Sequence, residues 1–280
     1  MGAYVNLNGK LLPADGPVIS LDNRAFHYGD GVFETIRIVR GRACFLDAHW
    51  VRLMQGLKVL RIDMPKDLGQ DRLEEAITEL VERNEMPNAR CRLTVFRDSA
   101  GYFRPERNAG AFTLELFPVE RDLYILNERG HTVDLYPEMR KPVNLLSVHK
   151  TLDSQLYVMA SLWSIEHHLD NCLLQNDRGN IIESSSGNIF IVSNGVLYTP
   201  PLTDGCLGGI MRMQVINIAL ENGIKVYESS LNPQNLLVAD ELFFTNAATG
   251  VQWVGAYRTK RYGHRMALRL QDLLVKKVLG

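Results

Sequence analysis

Three short stretches in the middle of the chain carry side chains whose types and order could do chemistry. An amine stands first, at Lys150, after the largely apolar run Leu145–Val148. An acid follows at Glu183, and a glycine turn at Gly208–Gly209 then opens a helical segment. A partly buried lysine can act as a nucleophile. A half-buried acid needs a cationic partner, and the amides at the start of a helix bind anions.

One cofactor needs all three of these groups. Pyridoxal phosphate requires a lysine that forms a Schiff base, an acid for its pyridine nitrogen and an anion site for its phosphate. The forked, permanently charged guanidinium of Arg52 would suit the same phosphate. Each residue by itself also has an ordinary structural explanation, such as a lysine at a strand end, a capping glutamate or a solvated helix arginine. The order of the groups is what indicates the cofactor.

The motifs around these residues resemble those of the class IV, fold-type IV, pyridoxal-phosphate enzymes. That family contains branched-chain aminotransferases, D-amino-acid aminotransferases and aminodeoxychorismate lyases. A single motif of this kind is a weak signal, whereas the whole set in family order covers most of the chain. The matching blocks are Arg24–Arg37, Leu46–Leu53, Lys150, Glu183, Ser186–Phe190, Tyr198–Leu202 and Leu207–Arg212.

The resemblance implies an enzyme that transfers an amino group between an amino acid and a 2-oxo acid, with Lys150 as the catalytic residue. It also implies a homodimer, with Arg24–Arg37 contributing across the interface. The residues that it assigns to the cofactor are Arg52, Lys150, Glu183, Leu207, Ile210, Met211, Asn246 and Ala247. Those proposed for the substrate are Tyr28, Thr35, Arg37, Arg104 and Ala248.

Departures from the family pattern leave the subfamily open. Many relatives carry a hydroxyl residue where Ala247 stands, so any contact there must come from the backbone. Branched-chain enzymes carry a tyrosine where this chain has Ser154–Gln155, and the nearest aromatic residue is Tyr157. The alternative activity is that of an aminodeoxychorismate lyase, which releases 4-aminobenzoate and pyruvate. A remote alternative is a cofactor-binding relative without catalytic activity.

The composition of the chain favours small-molecule chemistry. The 280 residues are 46% apolar and 22% charged, with a formal net charge of -1, which gives no reason to expect nucleic acid or anionic membrane as partners. Four isolated cysteines and the scattered histidines lack metal-ligand or disulfide spacing, so we expect no metal and reduced thiols in a cytoplasm. A secretion signal or membrane span is not predicted. The expected partners are amino-acid and keto-acid substrates.

The fold that must position these residues is predicted to be a two-domain α/β or α+β arrangement. Short strands at regular spacing between residues 172 and 198 indicate a barrel-like or strongly curved sheet. We therefore expect a small N-terminal α/β domain over residues 1–118 and a connection over 119–127. A larger barrel-like β domain with helices, which binds the cofactor, is expected over 128–280.

Particular elements are expected to carry the site. A strand over Phe33–Val39 places Thr35 and Arg37 on one face, and a helix over Leu46–Leu60 carries Arg52. Asp67 could cap the next helix, which ends near residue 84, and the loop at 98–105 is long enough to cover a substrate. A hairpin is predicted around residues 8–9. Other strands are predicted at 90–96, 111–117, 132–136, 172–175, 181–183, 188–193, 196–198, 224–227 and 242–245, and helices at 153–169, 212–222 and 264–278.

Overall fold

The computed structural model describes residues 2–280, which form two compact units. The first unit contains the chain up to Asp122 together with His149–Asp153, and the second contains Leu123–Val148 and Ser154–Gly280. The predicted division, with its connection over residues 119–127, stays a prediction. Within residues 2–280, every helix is too short or too polar to cross a bilayer.

The first unit is a six-stranded antiparallel sheet with two long helices packed on one face. The strand order across the sheet is β2-β1-β6-β5-β3-β4. Its elements are β1 (Tyr4–Leu7), β2 (Lys10–Pro13), α1 (Arg24–Tyr28), β3 (Gly31–Val39), β4 (Arg42–Ala43), α2 (Leu46–Leu60), α3 (Gln70–Asn84), β5 (Ala89–Arg97) and β6 (Gly110–Pro118).

Alternation along β3 decides which side chains face the helices. Successive strand residues point to opposite faces, so Ile36 and Ile38 share one face. Both are fully buried and belong to the same apolar cluster as Leu53 and Leu57 of α2. This confirms the predicted strand and the predicted helix. The hairpin is also confirmed, because Asn8 and Gly9 form its turn with φ of 50° and 82°, as a tight hairpin turn requires.

The predicted start of α3 was wrong. Gly69 precedes its first helical residue, and no side chain of the described chain caps that end. Asp67 lies two residues earlier and forms an exposed ion pair with Arg72 at 3.6 Å. Asp67 therefore lies in an exposed ion pair, without the capping hydrogen bond that the sequence suggested.

The second unit is built around a nine-stranded sheet. Its elements are β7 (His131–Leu135), α4 (Gln155–Glu166), β8 (Asn171–Gln175), β9 (Ile181–Ser184), β10 (Asn188–Ser193), β11 (Val196–Thr199), α5 (Ile210–Glu221), β12 (Val226–Glu228), α6 (Pro233–Val238), β13 (Glu241–Asn246), β14 (Gly250–Tyr257), β15 (Lys260–Arg261) and α7 (Arg265–Leu279).

Six of these strands close into a ring, which confirms the barrel-like sheet. Their order is β10-β13-β14-β7-β8-β9, and β9 returns to β10 through the pair Glu183 and Asn188. Ile189, Phe244 and Val254 fill part of the interior cluster. The closing pair therefore places Glu183, a candidate site residue, at the seam of the ring.

The eight-residue strand β14 had no counterpart in the sequence prediction. It runs parallel to β7 and antiparallel to β13, with an irregular register between Val254 and Ala256. Its buried residues do not alternate, and Gly255 packs so closely on Gly130 that a Cβ at Gly130 would lie 2.5 Å from the Gly255 nitrogen. A strand with this irregularity lacks the period-two signal that sequence analysis uses.

Candidate functional site

In the second unit, the Glu183 carboxylate lies at the centre of a buried hydrogen-bond cluster. Its Oε1 accepts hydrogen bonds from Lys141 Nζ at 2.7 Å and from the Tyr157 hydroxyl at 2.8 Å. Its Oε2 accepts from the backbone amide of Leu207 at 2.8 Å. Glu183 is 2% exposed, so its negative charge is compensated mainly by the Lys141 ammonium. The cluster joins three separate chain segments to one acid.

Asn188 connects this acid to the two other candidate segments. It pairs with Glu183 across β9 and β10 and with Thr245 across β10 and β13. Its side-chain amide donates to the Leu207 carbonyl at 2.8 Å, and its Oδ1 would be only 1.9 Å from a Cβ at Gly209. A side chain at position 209 would therefore displace the Asn188 amide, which holds the turn before α5 beside Glu183.

The beginning of α5 presents backbone amides without a capping side chain from the described residues, and its first residues are buried. Ile210 and Met211 are 4% and 1% exposed, and among the described residues no side chain caps the helix, whose N-cap is Gly209. The first amides of a helix lack partners within the helix and carry its positive dipole end. Such an arrangement binds phosphate or carboxylate.

The loop after β13 shows which of its groups remain available for a ligand. Asn246 Oδ1 accepts hydrogen bonds from the amides of Ala248 and Thr249 at 3.0 and 2.9 Å, and the Ala247 carbonyl accepts from the Tyr124 hydroxyl at 2.9 Å. Asn246 thus stabilises its own turn. The hydroxyl of Thr245, 1% exposed, finds no hydrogen-bond partner within residues 2–280, which is costly for a buried polar atom.

These features of the second unit fit a phosphorylated, ring-containing cofactor. The uncapped helix start supplies amide donors for an anion, the buried Thr245 hydroxyl lacks a partner within the described chain, and Glu183 offers a fixed carboxylate. Of the predicted cofactor residues, the structure brings Glu183, Leu207 and the start of α5 together through Asn188.

In the first unit, Arg52 forms a buried ion pair with Glu34. Arg52 Nε lies 2.8 Å from Glu34 Oε1, and its Nη2 lies 2.5 Å from Oε2. His49 Nδ1 is 2.6 Å from the same Oε2. Burial alone would raise the pKa of Glu34, but the charge and hydrogen bonds of Arg52 outweigh it and lower that pKa to about 2. The guanidinium predicted to bind phosphate is therefore held in one orientation.

Lys150 belongs by its contacts to the first unit. Its carbonyl accepts a hydrogen bond from the Phe33 amide at 3.0 Å, and the next residue, Thr151, forms a β-bridge with Val32. Lys150 Nζ lies 4.2 Å from the centre of the Phe33 ring. The backbone of the predicted catalytic lysine is therefore attached to the beginning of β3, and its amine contacts an aromatic face.

Basic side chains line the sheet face on which Phe33 lies. Arg37 is buried and donates to the Arg121 carbonyl. Arg92 stands directly opposite Thr35 on β5, and its guanidinium carbon lies 4.0 Å from the centre of the Phe33 ring. Burial lowers the pKa of Arg92. Both Arg92 and Lys150 therefore contact one ring, next to the predicted substrate residue Thr35.

Two other predicted substrate residues lie near the loop at 98–105. Arg24 donates to the carbonyls of Gly101 and Tyr102 at 2.7 and 2.5 Å, and its guanidinium stacks on the Tyr28 ring. The Tyr28 ring is 5.4 Å from the Phe103 ring. Arg104 is exposed. The structure therefore attaches Tyr28 to the loop and leaves the Arg104 side chain in solvent.

Sequence reasoning missed several members of these clusters. Arg92 could have been found, because Arg90 and Arg92 alternate along a predicted strand and share its polar face. Asn188 stood inside a matching block and Thr245 at the end of a predicted strand, both without an assigned role. Nothing in the sequence singles out Lys141, because a lysine after an arginine in a loop is ordinary and its burial depends on tertiary packing.

Comparisons with known proteins agree with this geometry. The family described as "Amino-transferase class IV" matches residues 31–257. A "Putative branched-chain-amino-acid aminotransferase" of Methanocaldococcus jannaschii is 34% identical over 88% of this chain and 85% of its own length. The "D-alanine aminotransferase" of Bacillus licheniformis is 29% identical over 88% and 86%. The branched-chain aminotransferase of T.th., solved with pyridoxamine 5'-phosphate, is 27% identical, with a TM-score of 0.90, and the match covers 99% of this chain and 94% of that one.

Proposed function

The chain belongs to the class IV aminotransferases, and on that premise we propose that Lys150 is the residue that binds pyridoxal phosphate covalently and moves the proton during amino-group transfer. The family makes this protein a pyridoxal-phosphate enzyme that transfers an amino group between an amino acid and a 2-oxo acid. When bound, the cofactor withdraws electrons from the Cα of an attached amino acid, so that this carbon can lose a proton.

Lys150 would hold the cofactor, release it to the incoming amine and then carry the Cα proton. Its amine is half-buried and lies over the Phe33 ring, which fixes where the nucleophile stands. Lys141, by contrast, is buried, and its amine already binds the Glu183 carboxylate at 2.7 Å.

The other cofactor contacts follow from the chemistry of each group. We assign the pyridine nitrogen to Glu183, the ring face to Leu207 and the phosphate to Arg52 with the amides of Ile210 and Met211. Asn246 and Ala247 would contribute backbone groups, since the Asn246 side-chain oxygen already accepts bonds within its own turn. The single observation that carries the assignment is the buried Glu183 carboxylate, bonded to the turn that starts an uncapped helix.

For the substrate carboxylate, we propose Arg37 and Arg92, with Thr35 beside them. These side chains lie on one face of β3 and β5, and the Phe33 ring that Arg92 contacts is also contacted by Lys150. A forked guanidinium binds a carboxylate through two hydrogen bonds. Residues with a further proposed role around the substrate are Tyr28, Arg104 and Ala248.

The direct test of the Lys150 assignment is chemical. Borohydride reduction of the cofactor-loaded protein, followed by peptide mapping, should place the stable phosphopyridoxyl group on Lys150. Lys150→Ala should lose the absorption band of the lysine-bound cofactor, and its turnover should fall by about a thousandfold or more. Lys225→Ala, a change at an exposed lysine of the second unit, is the matched control. A label on Lys141, or full turnover in Lys150→Ala, would refute the assignment.

The donor and acceptor are to be found by a substrate screen. L- and D-amino acids with branched and acidic side chains should be tested with several 2-oxo acids, because a face with two arginines can bind a second carboxylate. Aminodeoxychorismate should be included without any 2-oxo acid acceptor. Release of pyruvate under that condition would identify the lyase reaction, whereas acceptor-dependent formation of a new amino acid identifies transamination.

We also propose that the protein is a homodimer in the cytoplasm. On α4, Val158, Leu162 and Ile165 are 55%, 48% and 69% exposed, and their spacing places them on one helix face. An exposed apolar row of this kind is typical of an interaction surface. Ile165→Glu should shift the molecular mass measured by light scattering from that of two chains to that of one.

All four cysteines are free, and cell fractionation tests the proposed cytoplasmic location.

A further inference from the structure

Lys141 is a buried lysine whose position is fixed by the backbone. Its amide donates to the Gln175 carbonyl at 2.9 Å, and its carbonyl accepts from the Asp177 amide at 3.2 Å. Its side chain is 9% exposed and ends 2.7 Å from Glu183 Oε1. Lysine is almost never buried to this degree unless it is paired, so the ion pair explains where the ammonium lies.

The donors around Glu183 are distributed unequally between its two oxygens. Lys141 and Tyr157 both donate to Oε1, whereas within residues 2–280 the donor to Oε2 is the Leu207 amide. An ionised carboxylate offers about four lone-pair positions, two on each oxygen. One acceptor position therefore remains, and it lies on Oε2.

The ammonium of Lys141 lies 2.7 Å from the buried carboxylate of Glu183 and complements its charge. A buried carboxylic acid without a cationic neighbour tends to hold its proton, because burial disfavours the charged form. A protonated Glu183 would donate a hydrogen bond to a ring nitrogen, whereas an ionised Glu183 accepts one from a protonated ring nitrogen. Lys141 acts on Oε1, so its repulsion of a ring cation at Oε2 acts over a longer distance than the attraction by Glu183.

We propose that Lys141 is a positioning residue that supplies the counter-charge to Glu183 and, together with Tyr157, turns its Oε2 toward the pyridine nitrogen of the cofactor. This inference rests on the proposed function and adds to it a residue that touches Glu183 without touching the substrate. The consequence is a carboxylate oxygen that is oriented to accept a hydrogen bond from the ring nitrogen. Removal of the Lys141 charge should weaken the cofactor's binding and change the pH dependence of its absorption.

The test compares substitutions that keep or remove the charge of Lys141. Lys141→Met should weaken pyridoxal-phosphate binding by about tenfold, as expected when two neighbouring residues lose their interaction. Lys141→Arg, which keeps the charge, should bind the cofactor with an affinity within about threefold of the wild type. Affinity is measured by titration of the apoprotein, and the absorption band of the bound cofactor is recorded across pH. Lys225→Met is the exposed control. Should Lys141→Met fail to fold, Lys141→Gln, which can donate a hydrogen bond without the charge, replaces it.

A double-mutant cycle separates this role from a structural one. If Lys141 acts through Glu183, Lys141→Met should cost little affinity in a Glu183→Gln background, because the carboxylate with which it pairs is absent. Equal losses in both backgrounds, or wild-type affinity and an unchanged pH profile in Lys141→Met, would overturn the proposal. Failure of the proposed function looks different, because the wild-type protein itself would then show no cofactor band that depends on Lys150.

Discussion

Two buried glutamates, one in each unit, are stabilised by different kinds of cation. Glu34 on β3 is bound by the guanidinium of Arg52 and by His49, both from the single helix α2. Glu183 on β9 is bound by the ammonium of Lys141, by Tyr157 and by the Leu207 amide, which come from three segments. A guanidinium cannot lose its proton in a protein, whereas a buried ammonium can. The first pair fixes one helix to one strand, whereas the second joins three separate segments at one acid.

The largest loss of stability should follow from removal of the Glu34 carboxylate. Glu34→Ala leaves the Arg52 charge buried without its counter-ion, and this should lower the free energy of unfolding by about 3 to 5 kcal/mol. Urea unfolding of the apoprotein measures it, and Glu82→Ala on the exposed face of α3 is the control. A paired change of Glu34→Leu with Arg52→Met should recover most of the stability and none of the cofactor affinity. Unchanged stability in Glu34→Ala would show that the pair has no structural role.

Acid should weaken the same pair. Because the folded-state pKa of Glu34 is lowered from 4.5 to about 2, its contribution is complete above pH 4.5 and is lost as the pH falls from there toward 2. The loss should amount to about 3 kcal/mol. Burial lowers the pKa of His49 below 6.5, so protonation of the unfolded chain reduces stability from that pH downward. The free energy of unfolding should fall more steeply with decreasing pH in the wild type than in Glu34→Gln. Equal pH dependences in the two proteins would contradict the assignment.

The second carboxylate should matter less for stability and more for binding. In Glu183→Ala, Lys141 can release its proton instead of remaining an unpaired buried charge, so the loss of unfolding free energy should be only about 1 to 3 kcal/mol. Pyridoxal-phosphate affinity should fall by about tenfold or more. Urea unfolding of the apoprotein measures the stability, and titration with pyridoxal phosphate measures the affinity. If Glu183→Ala destabilised the protein as much as Glu34→Ala, the distinction between the two pairs would fail.

The smallest effect should come from Thr245. Its buried hydroxyl has no hydrogen-bond partner within the described residues, so Thr245→Val should leave the apoprotein within about 0.5 kcal/mol of the wild type or make it more stable. If the hydroxyl binds the cofactor, the same change should reduce cofactor affinity by about fivefold. Thr245→Ser keeps the hydroxyl and should retain affinity. A cofactor affinity unaffected by Thr245→Val would exclude that contact.

Much of the local structure could be predicted from the sequence. The helix at Leu46–Leu60 has a strong apolar stripe, and the structure gives it the same bounds. The strand that carries Thr35 and Arg37 was also predicted, and the structure extends it to Gly31–Val39. The chain's own order of Lys150, Glu183 and Gly208–Gly209 indicated the cofactor class, because the required chemistry appears within a small set of residue types.

The partners of these groups could not be predicted, since they depend on packing between distant segments. The ion pair of Lys141 with Glu183 joins positions 42 residues apart, and the pairing of β14 with β7 depends on an irregular register. Likewise, the glycine turn before α5 was predicted, whereas the contact of Gly209 with Asn188 became clear only from the structure. Sequence patterns record which residues alternate or repeat, and they contain no distance between residues that the fold brings together.

The sequence by itself determined the kinds of groups available, which are an amine, an acid, a guanidinium and a glycine-led helix start. Only the tertiary structure decided which of them are buried and what each one contacts. The physical reason is that the charge state of a buried group is set by its solvation and by its nearest opposite charge. Both depend on where the chain folds back on itself, as the different surroundings of Glu34 and Glu183 demonstrate.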